Sequence, residues 1–342
     1  MSIFGKRKLN ILVLGADGML GYDVYEHFKK QSTLEDSNVG IVTGITLADG
    51  FDFTVRHELG AFMTNKIHYD WCINCIAYTD TWKAEHDSEG KLMSYKLNAL
   101  APKYIAESCN FHKTKLIHIS TDYVFSEMSY SLFTGIKADI FNEPFPKNNY
   151  GMHKLLGEKG IAESFNLKRK NYAILRTSWL YGAHNSKSFV HKFMKNVGKA
   201  CKEASDRKDE CKGAVVDMTL DEHSMPTSTA CVIYCIDDVI KYGKYGIMHA
   251  VPFSAISETP PSRLDFAKEI LANYKCSEEL FGIKISDVVL NGTSLPPAAL
   301  QPTRSSMMSS FSDVASWQWY IYTFMRKHGK EILEFAIKEN EK

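Results

Sequence analysis

A glycine run wedged between an apolar strand and a helix constrains this chain more than any other feature. Residues 10–14, Asn-Ile-Leu-Val-Leu, read as a buried strand, and Gly15-Ala16-Asp17-Gly18-Met19-Leu20-Gly21 follows at once. The spacing is GxxGxxG, and a helical stretch over 21–30 comes next. Glycines placed there permit a tight turn and a close approach of backbone to a pyrophosphate. The helix N-terminus adds N–H groups and the positive end of its dipole. Gly15, Asp17, Gly18, Met19, Leu20 and Gly21 are therefore candidates for holding a dinucleotide.

The pattern continues downstream. Mostly apolar strands are expected over 40–47, 71–76, 115–120 and 172–176, with helices over 55–64, 88–109 and 151–165. Strand–helix alternation with strands apolar on both faces predicts a Rossmann-like, doubly wound parallel sheet of α/β class. Beyond Tyr181-Gly182 the chain is less regular. Strands are expected over 213–217 and 246–251, and helices over 226–241, 263–274 and 314–339. The charged stretch 199–212 reads as a solvated loop or insertion. The division expected is residues 1–178 with 213–251 as the dinucleotide domain. Residues 179–212 with 252–342 would form a smaller C-terminal, substrate-binding α/β domain.

Charge and length narrow the function classes. The 342 residues carry 41 Lys+Arg against 40 Asp+Glu, a net charge of +1. That balance argues against nucleic-acid or polybasic membrane binding, since both need a cationic surface. No run of 18 or more apolar residues occurs, so no membrane span is expected. Lys6-Arg7-Lys8 before the first strand is not read as a signal peptide, because Gly15 to Gly18 interrupt a short apolar run. The eight cysteines lie scattered in apolar segments and read as free, buried thiols. A cytoplasmic location is expected on that basis.

Two further strings carry chemistry. Tyr150-Gly-Met-His-Lys154 puts a phenol and an ammonium one helical turn apart on one face. A nearby positive charge favours phenolate, so Lys154 is expected to lower the Tyr150 pKa and fit it for proton transfer. Ser120-Thr121-Asp122-Tyr123-Val124-Phe125 follows a strand at its carboxyl end, where open α/β sheets bind ligands. After the second strand, Asp49 and Asp52 could meet a ribose or serve as turn aspartates. Arg56 and His57 could meet a ribose phosphate, which leaves NADH and NADPH both open.

Taken in order, these strings resemble the extended short-chain dehydrogenase/reductases. The resemblance narrows with Asn74-Cys75-Ile76-Ala77-Tyr78-Thr79, Lys83-Ala84-Glu85, Leu97-Asn98-Ala99, Ser120 to Phe125, Tyr150 to Glu158, and Arg176-Thr177-Ser178-Trp179-Leu180-Tyr181-Gly182. Together they are similar to the dTDP-4-dehydrorhamnose reductases. Pro226-Thr227 and Gln301-Pro302-Thr303-Arg304-Ser305 match more loosely. The resemblance implies a catalytic set of Thr121, Tyr150 and Lys154. Tyr150 would give a proton to the C4 keto oxygen of a nucleotide-linked 4-keto-6-deoxy sugar, dTDP- or UDP-linked, while NADPH or NADH delivers hydride. Lys154 would also hold the nicotinamide ribose, and Asn98 would support the lysine through a water. Asp52 and Phe53 would face the adenine end, and Ala77, Tyr78 and Thr79 would line the cofactor channel. On the substrate side the resemblance implies Lys83, Thr121, Asp122, Val124, Tyr150 and Trp179. The product expected is a nucleotide L-rhamnose. An N-acetylated 4-keto hexosamine is the alternative substrate. A non-catalytic subunit, like the methionine adenosyltransferase beta subunit, is the alternative class. A homodimer is left open, and no metal is expected.

The sequence departs from that family in Thr81-Trp82, in Asp221-Glu222-His223-Ser224-Met225-Pro226-Thr227, at Gln301 and in an expanded loop after Phe125. These lie mostly on the substrate side. Cys72 and Cys75 are three apart in a strand, hence on opposite faces, and read as core residues rather than metal ligands. Cys231 and Cys235 read likewise. His112, His118 and His153 are isolated and carry no ligand reading. The aromatic run from Trp317 to Phe324 is expected to face inward.

Overall fold

The structure is a computed structural model, and it describes residues 7–64, 67–126, 143–165, 171–207, 213–253, 260–275, 277–294 and 307–342. The string Gln301 to Ser305, most of the loop after Phe125 and residues 208–212 lie outside the described residues.

The first half alternates as expected. It runs β1 (Leu9–Leu14), α1 (Met19–Ser32), β2 (Val39–Ile45), α2 (Glu58–Met63) and β3 (Trp71–Asn74). Helices α3 (Thr81–His86), α4 (Ser88–Tyr95) and α5 (Ala101–Phe111) follow, with a π turn at Lys96–Leu100 between the last two. Then come β4 (Lys115–Thr121), α6 (Asn149–Ser164) and β5 (Tyr172–Thr177). The second half adds β6 (Leu180–Tyr181), α7 (Phe189–Asp206), β7 (Val215–Thr219), β8 (Thr227–Ser228), α8 (Thr229–Tyr242) and β9 (Gly246–His249). It closes with α9 (Arg263–Ala272), β10 (Glu279–Leu280), β11 (Ile283–Lys284), β12 (Val289–Thr293) and α10 (Trp317–Glu341).

Six strands form one sheet in the order β2-β1-β3-β4-β5-β9, every neighbour parallel. Alternation along the strands explains why helices cover both faces. Ile11, Val13, Ile73, Ile117 and Leu175 pack against Val24 and Phe28 of α1 and Val232 and Ile236 of α8. Leu12, Leu14, Cys72, Leu116 and Ile174 point the other way, onto Leu59 of α2, Ile105 of α5 and Ile161 of α6. The chain is thus an α/β protein with a doubly wound parallel sheet. The strand order reverses between β1 and β3, so a crevice opens beyond the carboxyl ends of those two strands. Such switch points are where open α/β sheets take ligands.

A second core lies apart from that sheet. It gathers Phe193, Val197 and Cys201 of α7, Phe266 and Ile270 of α9, and Ile321, Phe324 and Ile332 of α10. Strand β7 joins this core, because it pairs with β12 in parallel and not with the six-stranded sheet. Two sequence expectations are corrected here. Residues 199–206 are no solvated loop but the last turns of α7. Val197, Cys201 and Ala204 recur at helical spacing and are buried, which holds that charged segment helical. The aromatic run in α10 is two-sided: Tyr320, Ile321 and Phe324 are buried, whereas Trp319 and Tyr322 are about half exposed. Of the cysteines, Cys72, Cys231 and Cys235 are buried, and Cys75 lies just past β3, half-buried.

Candidate active site

The glycine loop occupies the switch point. Gly15 follows β1 with φ +76°, a conformation that side chains rarely adopt, and Cβ at Gly21 would fall 1.9 Å from the Gly15 carbonyl oxygen. The turn therefore exists only with those glycines, and it aims the N-terminus of α1 into the crevice. No acidic side chain occupies the first turn of α1, so the positive helix end is not neutralised there. Asp17 is exposed on the loop, and Met19 is half-buried at the helix start. The Leu20 side chain turns away into the core, which leaves only its backbone to face a ligand.

Residues after β2 are largely spoken for. Asp49 caps its own turn, accepting from the Thr46 N–H at 2.7 Å and the Thr46 hydroxyl at 2.9 Å. Asp52 accepts from the Thr54 N–H and hydroxyl, which hold its carboxyl below the usual range. Both aspartates thus behave as turn residues, with Asp52 still exposed. Phe53 packs in the core against Phe51. Arg56 makes an exposed two-point pair with Glu107 (2.8 and 3.1 Å).

Beyond β3, Ala77 and Tyr78 are half-buried and Thr79 is exposed. Asn98, in the π turn, clamps this segment. Its Oδ1 accepts from the Tyr78 N–H at 3.0 Å and its Nδ2 donates to the Tyr78 carbonyl at 2.9 Å. Single π turns recur at functional sites; here the turn sends a buried amide across to a strand end. Asn98 also donates to Ser94, whose hydroxyl meets His153 Nδ1. Its direct hydrogen bonds go to Tyr78 and Ser94.

Helix α6 brings in Tyr150 and Lys154. Asn148 caps it, accepting from the Gly151 N–H at 2.8 Å, and the Glu85 carboxylate accepts from the Asn149 N–H at 2.9 Å. An anion suits a helix N-terminus. Cβ at position 151 would lie 2.1 Å from the Tyr123 carbonyl oxygen, so the glycine after Tyr150 lets α6 press against the end of β4. That contact sets Tyr150 near Thr121, whose hydroxyl is close enough to favour the phenolate, and edge-on to Tyr123 at 5.3 Å between ring centroids. Lys154 is buried and donates to the Ile119 carbonyl at 2.7 Å, with His118 Nε2 at 3.4 Å. Below it, a buried pair joins α6 to β5: Arg176 donates to Glu158 from Nε (3.0 Å) and Nη2 (2.7 Å), and the Ser120 hydroxyl donates at 2.5 Å.

The electrostatics correct one expectation. Tyr150 is not acidified. Burial pushes its pKa up to about 12, the Thr121 hydroxyl only partly offsets this, and the Asp122 carboxylate adds to the rise. Lys154 moves the other way, to about 8, because burial penalises its charge more than Glu158 and Cys75 favour it. The sequence places phenol and ammonium on one face, but it carries no desolvation cost. At neutral pH the phenol is protonated, which is the state a proton donor needs.

On the substrate side the residues divide. Asp122 is buried and accepts from the Ser224 hydroxyl at 2.8 Å, tying the 221–227 string to the end of β4. The Val124 side chain sits in a small core with Phe125, Leu155 and Met225, so only its backbone can face a ligand. Lys83 is exposed on α3. Trp179 takes φ +36°, a strained value for an aromatic residue. Its ring lies 3.6 Å from the Arg263 guanidinium carbon, and Arg263 Nε donates to Glu222 at 3.1 Å. Burial raises the Tyr123 phenol, with Glu222 raising and Arg263 lowering it, which places that pair within electrostatic reach of the Tyr123–Tyr150 edge. Glu85, His118, Glu222 and Arg263 were not singled out as site residues in the sequence. Among the described residues, no three His, Cys, Asp or Glu side chains converge as a metal site.

Known proteins share this fold. The model of the family described as RmlD substrate binding domain matches residues 9–318. The dTDP-4-dehydrorhamnose reductase of Mycolicibacterium smegmatis is 28% identical over 257 residues, covering 75% of this chain and 68% of that one. Its namesake in Mycobacterium tuberculosis is 26% identical over 321 residues, 92% of this chain and 87% of the relative. Among solved structures, the dTDP-4-dehydrorhamnose reductase of Clostridium acetobutylicum superposes with TM-score 0.73 at 26% identity, covering 94% of this chain and 100% of that one. That of Bacillus anthracis, solved in complex with NADP, gives 0.72 at 25%, covering 94% and 99%. With a matching family model over most of its length and the switch-point site just described, the chain belongs to the RmlD family of dTDP-4-dehydrorhamnose reductases, which are oxidoreductases.

Proposed function

We propose that this protein reduces the C4 ketone of a nucleotide-linked 4-keto-6-deoxy sugar, dTDP- or UDP-4-dehydrorhamnose, to the L-rhamnose product. The coarser statement, nicotinamide-dependent reduction of a sugar ketone, rests on the family itself. The observation that carries the ketone-reductase reading is Tyr150 held edge-on to Tyr123 at the end of β4, with Lys154 one turn behind, beside the glycine crevice; the choice of sugar rests on the resemblance.

The crevice fits a dinucleotide on its own terms, since the close Gly15–Gly21 approach tightens the turn after β1 and the α1 N-terminus behind it carries no acidic side chain in its first turn. Gly15, Gly18 and Gly21 would cradle it with the N–H groups of Met19 and Leu20. The backbone of Ala77, Tyr78 and Thr79, fixed by Asn98, would form the opposite wall. Lys154 would hold the nicotinamide ribose. A bound nicotinamide supplies the hydride that converts the C4 carbonyl carbon to a carbinol. The Tyr150 phenol, protonated and oriented by Thr121, gives its proton to the C4 oxygen as charge gathers there, so hydride plus proton balance the reduction. Trp179, stacked under Arg263, would flank the sugar. Asp122 would order the 221–227 string beside it. We also place a first division between dinucleotide and substrate-binding parts near Ser178, with the chain returning to the dinucleotide part in α8 and β9 while β7 stays with the second core.

A direct test offers the purified protein NADPH or NADH with dTDP- and UDP-linked 4-keto sugars and follows cofactor oxidation. Turnover with one of the nucleotides is expected. Thermal stabilisation by cofactor without reduction of any keto sugar would overturn the reading. No helix among the described residues is long and apolar enough to cross a membrane.

A further inference from the structure

One buried histidine beside the lysine has no part in the chemistry above. His118 is fully buried in β4, between Asn74 of β3 and Lys154 of α6. The Asn74 amide has a fixed sense, because its Oδ1 accepts from the Ile76 N–H at 3.0 Å. Its Nδ2 must then donate to His118 Nδ1, 3.0 Å away. An imidazole that accepts at Nδ1 carries its single hydrogen on Nε2 when neutral. That Nε2–H faces Lys154 Nζ at 3.4 Å. An ammonium has no lone pair to accept it, whereas a neutral amine does.

We propose that Asn74 and His118 form a positioning pair that presents an N–H to Lys154 and thereby sets the charge state of the catalytic lysine. The Ile76 backbone fixes the amide, the amide fixes the tautomer, and the tautomer faces the amine. Other groups around Lys154 act differently. Glu158 on the same helix favours the charged form. The Cys75 thiol, beyond β3, stays protonated, since burial pushes it up to about 12. Tyr150, one turn back on α6, stays a neutral phenol at the pH of interest. His118 itself stays neutral, because burial and Lys154 hold its pKa well below the ordinary value. The device therefore works by hydrogen-bond polarity, not by a second charge.

The activity arm of the test rests on the reductase reading; the spectroscopic arm does not. Long-range 1H–15N correlation on histidine-labelled protein, with His118 assigned from H118Q or H118N, should display the Nε2–H tautomer, neutral from pH 8 down to about 5. An Nδ1–H tautomer or an imidazolium at pH 7 overturns the proposal. N74D reverses the amide's polarity and should switch the tautomer to Nδ1–H; an unchanged tautomer in folded N74D also overturns it. In kcat/KM profiles, the alkaline limb of the wild type should lie near pH 8. H118Q, whose amide oxygen can accept from the ammonium, should shift that limb upward by about one pH unit. A lowered amplitude with the limb unmoved would mean packing only. Absence of wild-type turnover would strike the reductase reading while leaving the tautomer test intact.

Discussion

Lys154→Met removes the one buried ammonium of the site and isolates what its charge costs. In the folded protein the lysine pKa falls from 10.5 to about 8, chiefly through burial. At 1.36 kcal/mol per unit, that gap is worth about 3 kcal/mol. Below about pH 8 the folded and unfolded chains both hold the proton, and the folded state carries the whole penalty. Between about 8 and 10.5 the unfolded chain binds a proton that the folded chain has released, so wild-type stability rises with pH. Above 10.5 the penalty is gone. The variant lacks the titration but leaves the Ile119 carbonyl without its donor, a loss of roughly 1–3 kcal/mol that is independent of pH. Comparing two pH values cancels that constant. Relative to wild type, K154M should lose about 2–3 kcal/mol of its advantage between pH 6.5 and pH 10. Urea unfolding of both proteins at pH 6.5, 8 and 10 measures this. A stability difference that stays flat across the range would refute the claim that Lys154 is buried at a cost in its charged form.

Other expectations follow from single contacts. Gly21→Ala forces a methyl to within 1.9 Å of the Gly15 carbonyl oxygen; it should cost about 1–3 kcal/mol or more and abolish the thermal shift on adding NADPH. Glu158→Gln strips the carboxylate from buried Arg176, which already has Nη1 without a partner. A loss of about 3–5 kcal/mol is expected, read as a drop in the urea midpoint, and a change under 1 kcal/mol would contradict it. Asn98→Ala frees the Tyr78 segment from its clamp; cofactor affinity should fall about tenfold or more by titration calorimetry, with stability reduced by about 1–3 kcal/mol.

What the sequence revealed is the part written locally. The glycine turn, the hydroxyl string after β4 and the Tyr150/Lys154 pair each rely on neighbours a few residues away, and the structure brings them to one crevice. Side-chain direction was harder. Leu20, Phe53 and Val124 flank motif positions, yet their side chains serve the core. Contacts that join distant segments left no local mark: Glu85 reaches the start of α6, Arg263 covers Trp179, and Asn74 meets His118. The raised Tyr150 pKa leaves no mark in the sequence for the same reason, because desolvation depends on what packs around the ring. Strand β7 was visible as a strand, but its parallel partner lies some 70 residues on, beyond the reach of pattern.

The central claim is that Tyr150 delivers the proton to a sugar ketone reduced at this crevice. Tyr150→Phe keeps the ring against Tyr123 and removes only the hydroxyl. With NADPH and a dTDP- or UDP-linked 4-keto sugar, kcat should drop by about 10²–10⁴, while the dissociation constant for NADPH, measured by calorimetry on the same preparation, stays within a few-fold. Turnover equal to wild type in the variant would contradict the account.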